Sequence, residues 1–253
     1  MSAIANIIAR PIAHRGYHSK ADGIIENSPS AISAAIAKGF GIEVDVQETA
    51  DGEALVFHDY TLERLTNSEG RVINMTAAEL TGISMKDSAD KLWLLNDLFA
   101  LVKGQVPLVI EIKSRHTTDA QADFVRHVVD QVAAYQGPVC IKTFDPDMLS
   151  IAREHNPEVL RGIVADDAKN AADYARFSRM ERFIFRHMLH IPRTRPHFIS
   201  YGVNVLDAIG PSIWRNLFRI PVMTWTVRTP EQRAMAKRYA DQMVFEGFDP
   251  DAS

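Results

Sequence analysis

Cysteine is nearly absent from this 253-residue sequence, which contains only Cys140. One cysteine cannot form an internal disulfide, so a disulfide-stabilised fold is excluded and a reducing compartment is favoured. Cys140 lies in an apolar run and is interpreted as a small buried strand residue rather than a nucleophile.

Long apolar runs and a strong charge of either sign are missing as well. No stretch approaches the roughly 20 apolar residues of a membrane-spanning helix. Residues 1–10 are apolar but lack the basic start and the length of a signal peptide. A formal net charge of −4 argues against a general nucleic-acid binder. We therefore expect a soluble, cytoplasmic protein with no transmembrane segment and no nucleic-acid partner, and its oligomeric state stays open.

Strand-like apolar runs alternate with helix-like segments along most of the chain. Clear strands are predicted at 42–46, 107–113 and 139–143, with helical periodicity between the later strands. About eight strands in a chain of this length are typical of a (β/α)8 TIM-type barrel. We predict one such α/β barrel, a single domain over residues 1–253, in preference to a doubly wound open sheet.

Three further segments complete the predicted fold. Residues 60–91 have poor periodicity and predict a small loop-rich insertion after the second strand. Residues 7–13 predict the first strand, and residues 168–188 predict a long helix.

Two acids stand on one face of the second predicted strand. Strand side chains alternate, so Glu43 and Asp45 point to one side while Val44 and Val46 point to the other. Two buried carboxylates on one face repel each other unless a proton, a basic partner or a cation is present. The Asp51-Gly52 turn that follows predicts a hairpin.

Other charged residues come at the ends of neighbouring strands. His14 and Arg15 follow the first strand, Glu111 and Lys113 end the third barrel strand, and Lys142 lies late in the next. In TIM barrels the functional residues gather at the carboxyl ends of the strands. We therefore expect these residues to meet at one rim, and the hairpin returns His58 to it. The basic residues Arg15, Lys113 and Lys142 are the candidate substrate-binding residues.

Three carboxylates without a cysteine partner suit a hard, oxygen-ligated cation such as Mg²⁺ or Ca²⁺ better than zinc. Such a cation beside Arg15 and Lys113 suits an anionic substrate, above all a phosphate ester. Two histidines would then serve as base and acid in one turnover. The predicted chemistry is cleavage of a phosphoryl ester.

The other seven histidines are interpreted as packing or surface residues.

Taken together, five short motifs resemble the signature of the glycerophosphodiester phosphodiesterase family. The resemblance covers essentially the whole chain and is specific through Lys113. The motifs are His14-Arg15-Gly16, Glu26-Asn27-Ser28, Glu43-Val44-Asp45, His58-Asp59 and Glu111-Ile112-Lys113.

The resemblance implies metal-dependent hydrolysis of a glycerophosphodiester to sn-glycerol 3-phosphate and an alcohol. It implies that Glu43, Asp45 and Glu111 ligate one divalent cation, Mg²⁺ or Ca²⁺, with Mn²⁺ also allowed. His14 and His58 would be the acid–base pair.

The resemblance also implies how substrate is held. Arg15 and Lys113 would hold the phosphate, and Trp225 would line the glycerol or leaving-group side. Lys142 is included with them as a predicted substrate-binding residue. The segment 244–250 and Arg228 depart from the family pattern, which leaves the preference for the leaving alcohol open.

Three other functions use the same residues. A lysophospholipase D-type enzyme would act on lysolipids in the same site, and a non-enzymatic barrel would only bind a phosphate ligand. A glycosidase working through Glu43 and Glu111 ranks lower, because it leaves both histidines and Lys113 without roles.

Arginines are frequent in the segment 176–195. They indicate either a landing surface for anionic lipid or a partner, or a solvated helix face with some ion pairing. The solvated face is the favoured interpretation.

Overall fold

The strands form one sheet that closes on itself in the computed structural model, which describes residues 3–169 and 177–252. The strands are β1 Ile12–His14, β2 Gly41–Glu48, β3 Ala54–Val56, β4 Leu108–Ile112, β5 Val139–Thr143, β6 Arg161–Ala165, β7 Phe198–Gly202, β8 Val222–Val227 and β9 Gln242–Phe245. Strand β1 pairs in parallel with both β2 and β9, so all strands except β3 form a closed parallel barrel. Strand β3 pairs antiparallel with β2 as the predicted hairpin. The predicted TIM-type fold is confirmed.

Helices connect the strands on the outside of the barrel. The α-helices are α1 Ala3–Ile7, α2 Pro29–Lys38, α3 Ala77–Thr81, α4 Leu95–Val102, α5 Ala122–Ala134, α6 Pro146–His155, α7 Arg179–Arg186, α8 Ile191–Thr194, α9 Ile209–Asn216 and α10 Pro230–Tyr239. Short 3₁₀ helices lie at Lys20–Asp22, Val72–Asn74 and Val203–Val205. No helix among the described residues is both long and apolar enough to cross a membrane.

The alternation of side chains along each strand separates two apolar layers. Residues such as Val44 and Ile110 face outward and pack with α2, α4 and α5 in the main core. The alternate residues face the barrel interior, where Ile12, Val109 and Cys140 belong to a second apolar cluster. The next inward positions, toward the carboxyl ends of the strands, are charged. The charged residues of the site therefore rest on a layer of apolar side chains inside the barrel.

The predicted loop-rich insertion is present after the hairpin. Between β3 and α4 only one 3₁₀ helix and α3 are regular. The segment has its own apolar cluster, which excludes water without extended secondary structure. The buried members are Leu55, Phe57, Leu62, Leu65, Val72, Leu80, Met85 and Leu92.

Two predicted boundaries were wrong. The first strand was predicted over residues 7–13, but Ile7 is the last residue of α1 and β1 begins only at Ile12. Ile4, Ile7 and Ile8 have helical spacing and pack in the interior cluster, while Pro11 cannot continue a helix. Of the predicted helix at 168–188, residues 170–176 lie outside the described residues. The described part is helical only from Arg179 to Arg186.

Candidate active site

The strand register brings the three predicted acids together at the carboxyl ends of the barrel strands. In the parallel pairing of β1 with β2, His14 lies opposite Glu43. Asp45 lies opposite Glu111 in the next pair of strands. All three carboxylates are buried, with exposures of 0%, 1% and 4% for Glu43, Asp45 and Glu111. Each offers an oxygen within 4.8 Å of the others, a spacing that could hold a metal ion.

Two lysines compensate the charge of the acid cluster. Lys113 Nζ lies 3.0 Å from Asp45 Oδ1 and 2.7 Å from Glu111 Oε1. Lys142 Nζ lies 2.9 Å from both Glu43 Oε1 and Glu111 Oε2. Burial alone would raise the pKa of Glu111, but Lys113 and Lys142 lower it to about 2. The same ion pairs hold the pKa of each lysine above its usual range despite burial, so Glu111, Lys113 and Lys142 are charged at neutral pH.

The donor set fits a hard divalent cation. Carboxylate oxygens are the ligands that Mg²⁺ and Ca²⁺ prefer. Glu43 Oε1 is buried and accepts no hydrogen bond from the described residues, although the Lys142 ammonium is close. Asn27 Nδ2 donates to Asp45 Oδ2 at 3.0 Å and fixes its orientation. The cluster is therefore held in place by its hydrogen bonds and ion pairs.

Arg15 projects into the site from the turn after β1. Its backbone N–H donates to Glu43 Oε2 at 3.1 Å, and its guanidinium lies 3.2 Å from Asp45 Oδ2. Gly16 makes the turn possible, since its φ is 81° and a Cβ there would lie 2.9 Å from Ala31. Glu26 Oε1 accepts from Arg15 Nη1 at 2.7 Å and holds the guanidinium in place.

His14 is oriented by a carboxylate from the last strand's end. Its Nδ1 lies 2.8 Å from Glu246 Oε2, and Arg228 Nη2 donates to the same oxygen at 2.8 Å. Burial would raise the pKa of Glu246, but His14 and Arg228 lower it to about 2, so it is an ionised acceptor. The proton of a neutral His14 therefore resides on Nδ1, and Nε2 is the basic nitrogen. That nitrogen lies 4.0 Å from Glu43 Oε2.

His58 is oriented in the same manner by different residues. Its Nδ1 lies 2.7 Å from Asp59 Oδ1, and Arg64 pairs with Asp59. Arg64 also donates to Glu26 at 2.7 Å, and so links the support of His58 to that of Arg15. Gln47 Nε2 donates to the backbone oxygen of His58 at 2.8 Å. In each histidine, Nδ1 is therefore hydrogen-bonded to a carboxylate, and that carboxylate is in turn paired with an arginine.

The two histidines open on one cavity of about 330 Å³. Its charged half contains the predicted residues His14, Arg15, Asp45, His58, Glu111, Lys113 and Lys142. Its other half is mainly aromatic and includes Trp225. The remaining aromatic members are Tyr60, Phe144, Phe177, Phe185, His116 and His190. Phe144 contacts Trp225 edge to face, with 5.4 Å between ring centroids.

Two histidines interpreted from the sequence as packing or surface residues line this cavity. His116 Nδ1 lies 3.5 Å from Asp145 Oδ2, which also accepts from Ser114 Oγ at 2.6 Å. Burial, and to a lesser extent Arg193, lowers the pKa of His190 to about 4, which keeps it neutral. The sequence signals for both were weak, because neither follows an acid or cysteine at a ligand-like spacing.

A closed barrel with acids, histidines and cations at the carboxyl ends of its strands is the architecture of the TIM-barrel enzymes. Within that class, the chain belongs to the glycerophosphoryl diester phosphodiesterase family, whose model matches residues 14–246. The family predicted from the five motifs is confirmed.

Individual relatives show how far the similarity extends. A glycerophosphodiester phosphodiesterase from Caldanaerobacter subterraneus subsp. tengcongensis is 40% identical over 111 residues, which are 41% of this chain and 44% of that protein. An uncharacterised Bacillus subtilis protein is 28% identical over 252 residues, 95% of this chain and 96% of that one. A solved Oleispira antarctica phosphodiesterase, in complex with the product sn-glycerol-3-phosphate, has a TM-score of 0.75 and 18% identity, covering 97% of this chain and 95% of that one. The solved structure supports the fold.

Proposed function

We propose that this protein hydrolyses glycerophosphodiesters to sn-glycerol 3-phosphate and an alcohol. The observation that carries the proposal is one cavity lined by two anchored histidines and three cations, at a cluster of three buried carboxylates. We assign the activity to the barrel as one domain over residues 1–253. The cytoplasmic location stays a prediction.

In this proposal Glu43, Asp45 and Glu111 hold one divalent cation, Mg²⁺ or Ca²⁺, and Mn²⁺ suits the same oxygens. The bound cation would withdraw charge from the phosphoryl oxygens. Without it, the three carboxylates are matched in charge by Lys113, Lys142 and Arg15. The two positive charges of the bound cation would therefore make the site net positive, and a net positive site attracts an anionic diester.

The substrate phosphate is bound by Arg15 and Lys113. Both cations face the cavity, and their carboxylate partners limit how far each can move. Lys142 is only 2% exposed and pairs with Glu43 and Glu111, so its role in substrate binding stays a prediction. Trp225 lines the side of the cavity that would receive the alcohol or the glycerol.

The two histidines complete the reaction through Nε2. One accepts the proton of the attacking hydroxyl as its oxygen forms a bond to phosphorus. The other donates a proton to the alcohol oxygen as the bond from phosphorus to that oxygen breaks. Anchoring of Nδ1 by Glu246 or Asp59 leaves only Nε2 for this exchange. The attacking hydroxyl is either water, which gives sn-glycerol 3-phosphate directly, or the neighbouring hydroxyl of the glycerol, which gives a cyclic phosphate that water then opens to the same product.

The test is a product assay with glycerophosphocholine and lysophosphatidylcholine as alternative substrates. The enzyme is treated with a chelator, then supplied with Mg²⁺, Ca²⁺ or Mn²⁺ in turn, and glycerol 3-phosphate is measured enzymatically. We expect glycerol 3-phosphate from glycerophosphocholine only when a divalent cation is present. Release of choline from lysophosphatidylcholine alone would favour the lysophospholipase D-type activity. Binding of either compound without product under every metal would favour the non-enzymatic barrel.

A further inference from the structure

Exposed apolar side chains are concentrated on one face of the described molecule. Seven of the eight large apolar residues that are exposed lie between positions 180 and 218. We call the surface of residues 179–189 and 209–219 the docking face. Its exposed apolar members are Met180, Phe183, Leu189, Ile209, Ile213, Leu217 and Phe218.

Helices α7 and α9 form this face together. A Cβ on Gly210 would lie 3.6 Å from the backbone oxygen of Arg186 and 3.7 Å from Met188 Sδ. The start of α9 therefore packs against the end of α7, which brings the exposed residues of the two helices onto neighbouring surfaces. A surface on which so many apolar side chains remain exposed marks an interaction site more often than chance packing.

The docking face is also basic. Residues 179–189 and 209–219 contain five arginines and one acid, whereas the whole chain has a net charge of −4. Arg215 pairs with Asp241. Arg179, Arg186 and Arg219 are exposed and form no ion pair within the described part of the chain. A solvated helix face does not explain arginines interleaved with exposed Phe, Leu and Ile side chains.

The docking face adjoins the mouth of the cavity. Helix α7 carries Phe183 and Arg186 outward, while Phe185 on the same helix lines the cavity. Phe177 just before the helix and His190 just after it line the cavity as well. A surface bound to α7 therefore lies beside the entrance used by substrate.

We propose that the docking face binds an anionic lipid surface. Arginines can hold phosphate headgroups while the apolar side chains between them enter the boundary of the acyl chains. A second copy of this chain is the weaker fit, because a symmetric contact would place the same arginines against each other. The proposal concerns binding and does not depend on the proposed reaction.

The test is co-sedimentation of the full chain with vesicles. One set contains phosphatidylcholine alone, and the other contains phosphatidylcholine mixed with phosphatidylglycerol. We expect binding to the mixed vesicles only, and a weaker affinity at high salt. Replacing Arg179, Arg186 and Arg219 together by Gln is expected to lower that affinity on the order of 100-fold. Replacing Phe183 and Leu217 by Ser is expected to lower it about tenfold or more.

The matched control replaces three exposed cations elsewhere, Arg71, Arg126 and Lys237, by Gln. The control is expected to bind as the unchanged protein does. Thermal unfolding and turnover of glycerophosphocholine without vesicles report separately on the fold and on the proposed reaction. Absence of binding to mixed vesicles, equal binding to both vesicle types, or an equal loss in the control would overturn the proposal.

Discussion

The two halves of the cavity are built in different ways. The charged half stands on adjacent barrel strands, where Asp45 and Glu111 face each other across one ladder. The aromatic half comes mainly from segments beyond the strand ends and from α7, as for Phe144 and Phe185, and Trp225 of β8 is its member on a strand. Strands fix positions more tightly than connections do. We infer that the charged half sets the reaction, while the aromatic half sets which alcohol is accepted.

The largest effect should come from removing one carboxylate of the charged half. Asp45→Asn removes the negative charge that pairs with Lys113 and Arg15. It also removes a predicted metal ligand from the site. We expect kcat/KM for glycerophosphocholine to fall on the order of 10⁴-fold. Metal affinity, measured by isothermal titration calorimetry, should fall in the same variant. The control Asp123→Asn changes an exposed acid on α5 and should alter neither quantity.

The next effect distinguishes the two histidines. His14→Asn and His58→Asn should each lower kcat about 10²- to 10³-fold. A glycerol p-nitrophenyl phosphodiester should restore turnover in only one of them, because p-nitrophenolate leaves without a proton. The restored variant is the one that lacks the general acid. His155→Asn, at an exposed histidine of α6, is the control. Equal restoration of both variants, or of neither, would contradict the division of roles.

The charged half was accessible from the sequence, because its residues stand in short motifs on regular strands. Alternation placed Glu43 and Asp45 on one face, and the order of strands placed Glu111 beside them. The barrel followed from the alternation of strand-like and helix-like segments along the chain. The N-terminal helix was missed because Ile7 and Ile8 belong to the apolar run that predicts a strand over residues 7–13.

The remaining contacts depend on tertiary structure. Glu246 reaches His14 from 232 positions away, in a segment that departs from the family pattern. The aromatic half combines Phe144, which follows β5, with Phe177 and Phe185 from the connection between β6 and β7. Only closure of the barrel brings β9 beside β1 and so places Glu246 against His14.

A smaller effect is expected from the aromatic half. Phe144→Leu removes the ring that contacts Trp225 and leaves the charged residues intact. We expect KM for glycerophosphocholine to rise about tenfold, with kcat nearly unchanged. The ratio of kcat/KM between glycerophosphocholine and glycerophosphoglycerol should change as well. A fall in kcat that is equal for both substrates would show that the two halves are not separable.

The smallest effect on turnover should come from His190, which acts on stability. Its pKa of about 4 in the folded protein lies below the ordinary value of 6.5. As the pH is lowered, the unfolded chain is therefore protonated at His190 before the folded protein is. Its contribution to the free energy of unfolding is complete above pH 6.5 and decreases as the pH falls toward 4. The loss over that range is about 3 kcal/mol. His190→Gln should therefore flatten the decline in stability between pH 7.5 and pH 4.5, measured by urea unfolding, while kcat at neutral pH stays near that of the unchanged protein. If the decline is as steep in the variant, the buried neutral histidine is not its source.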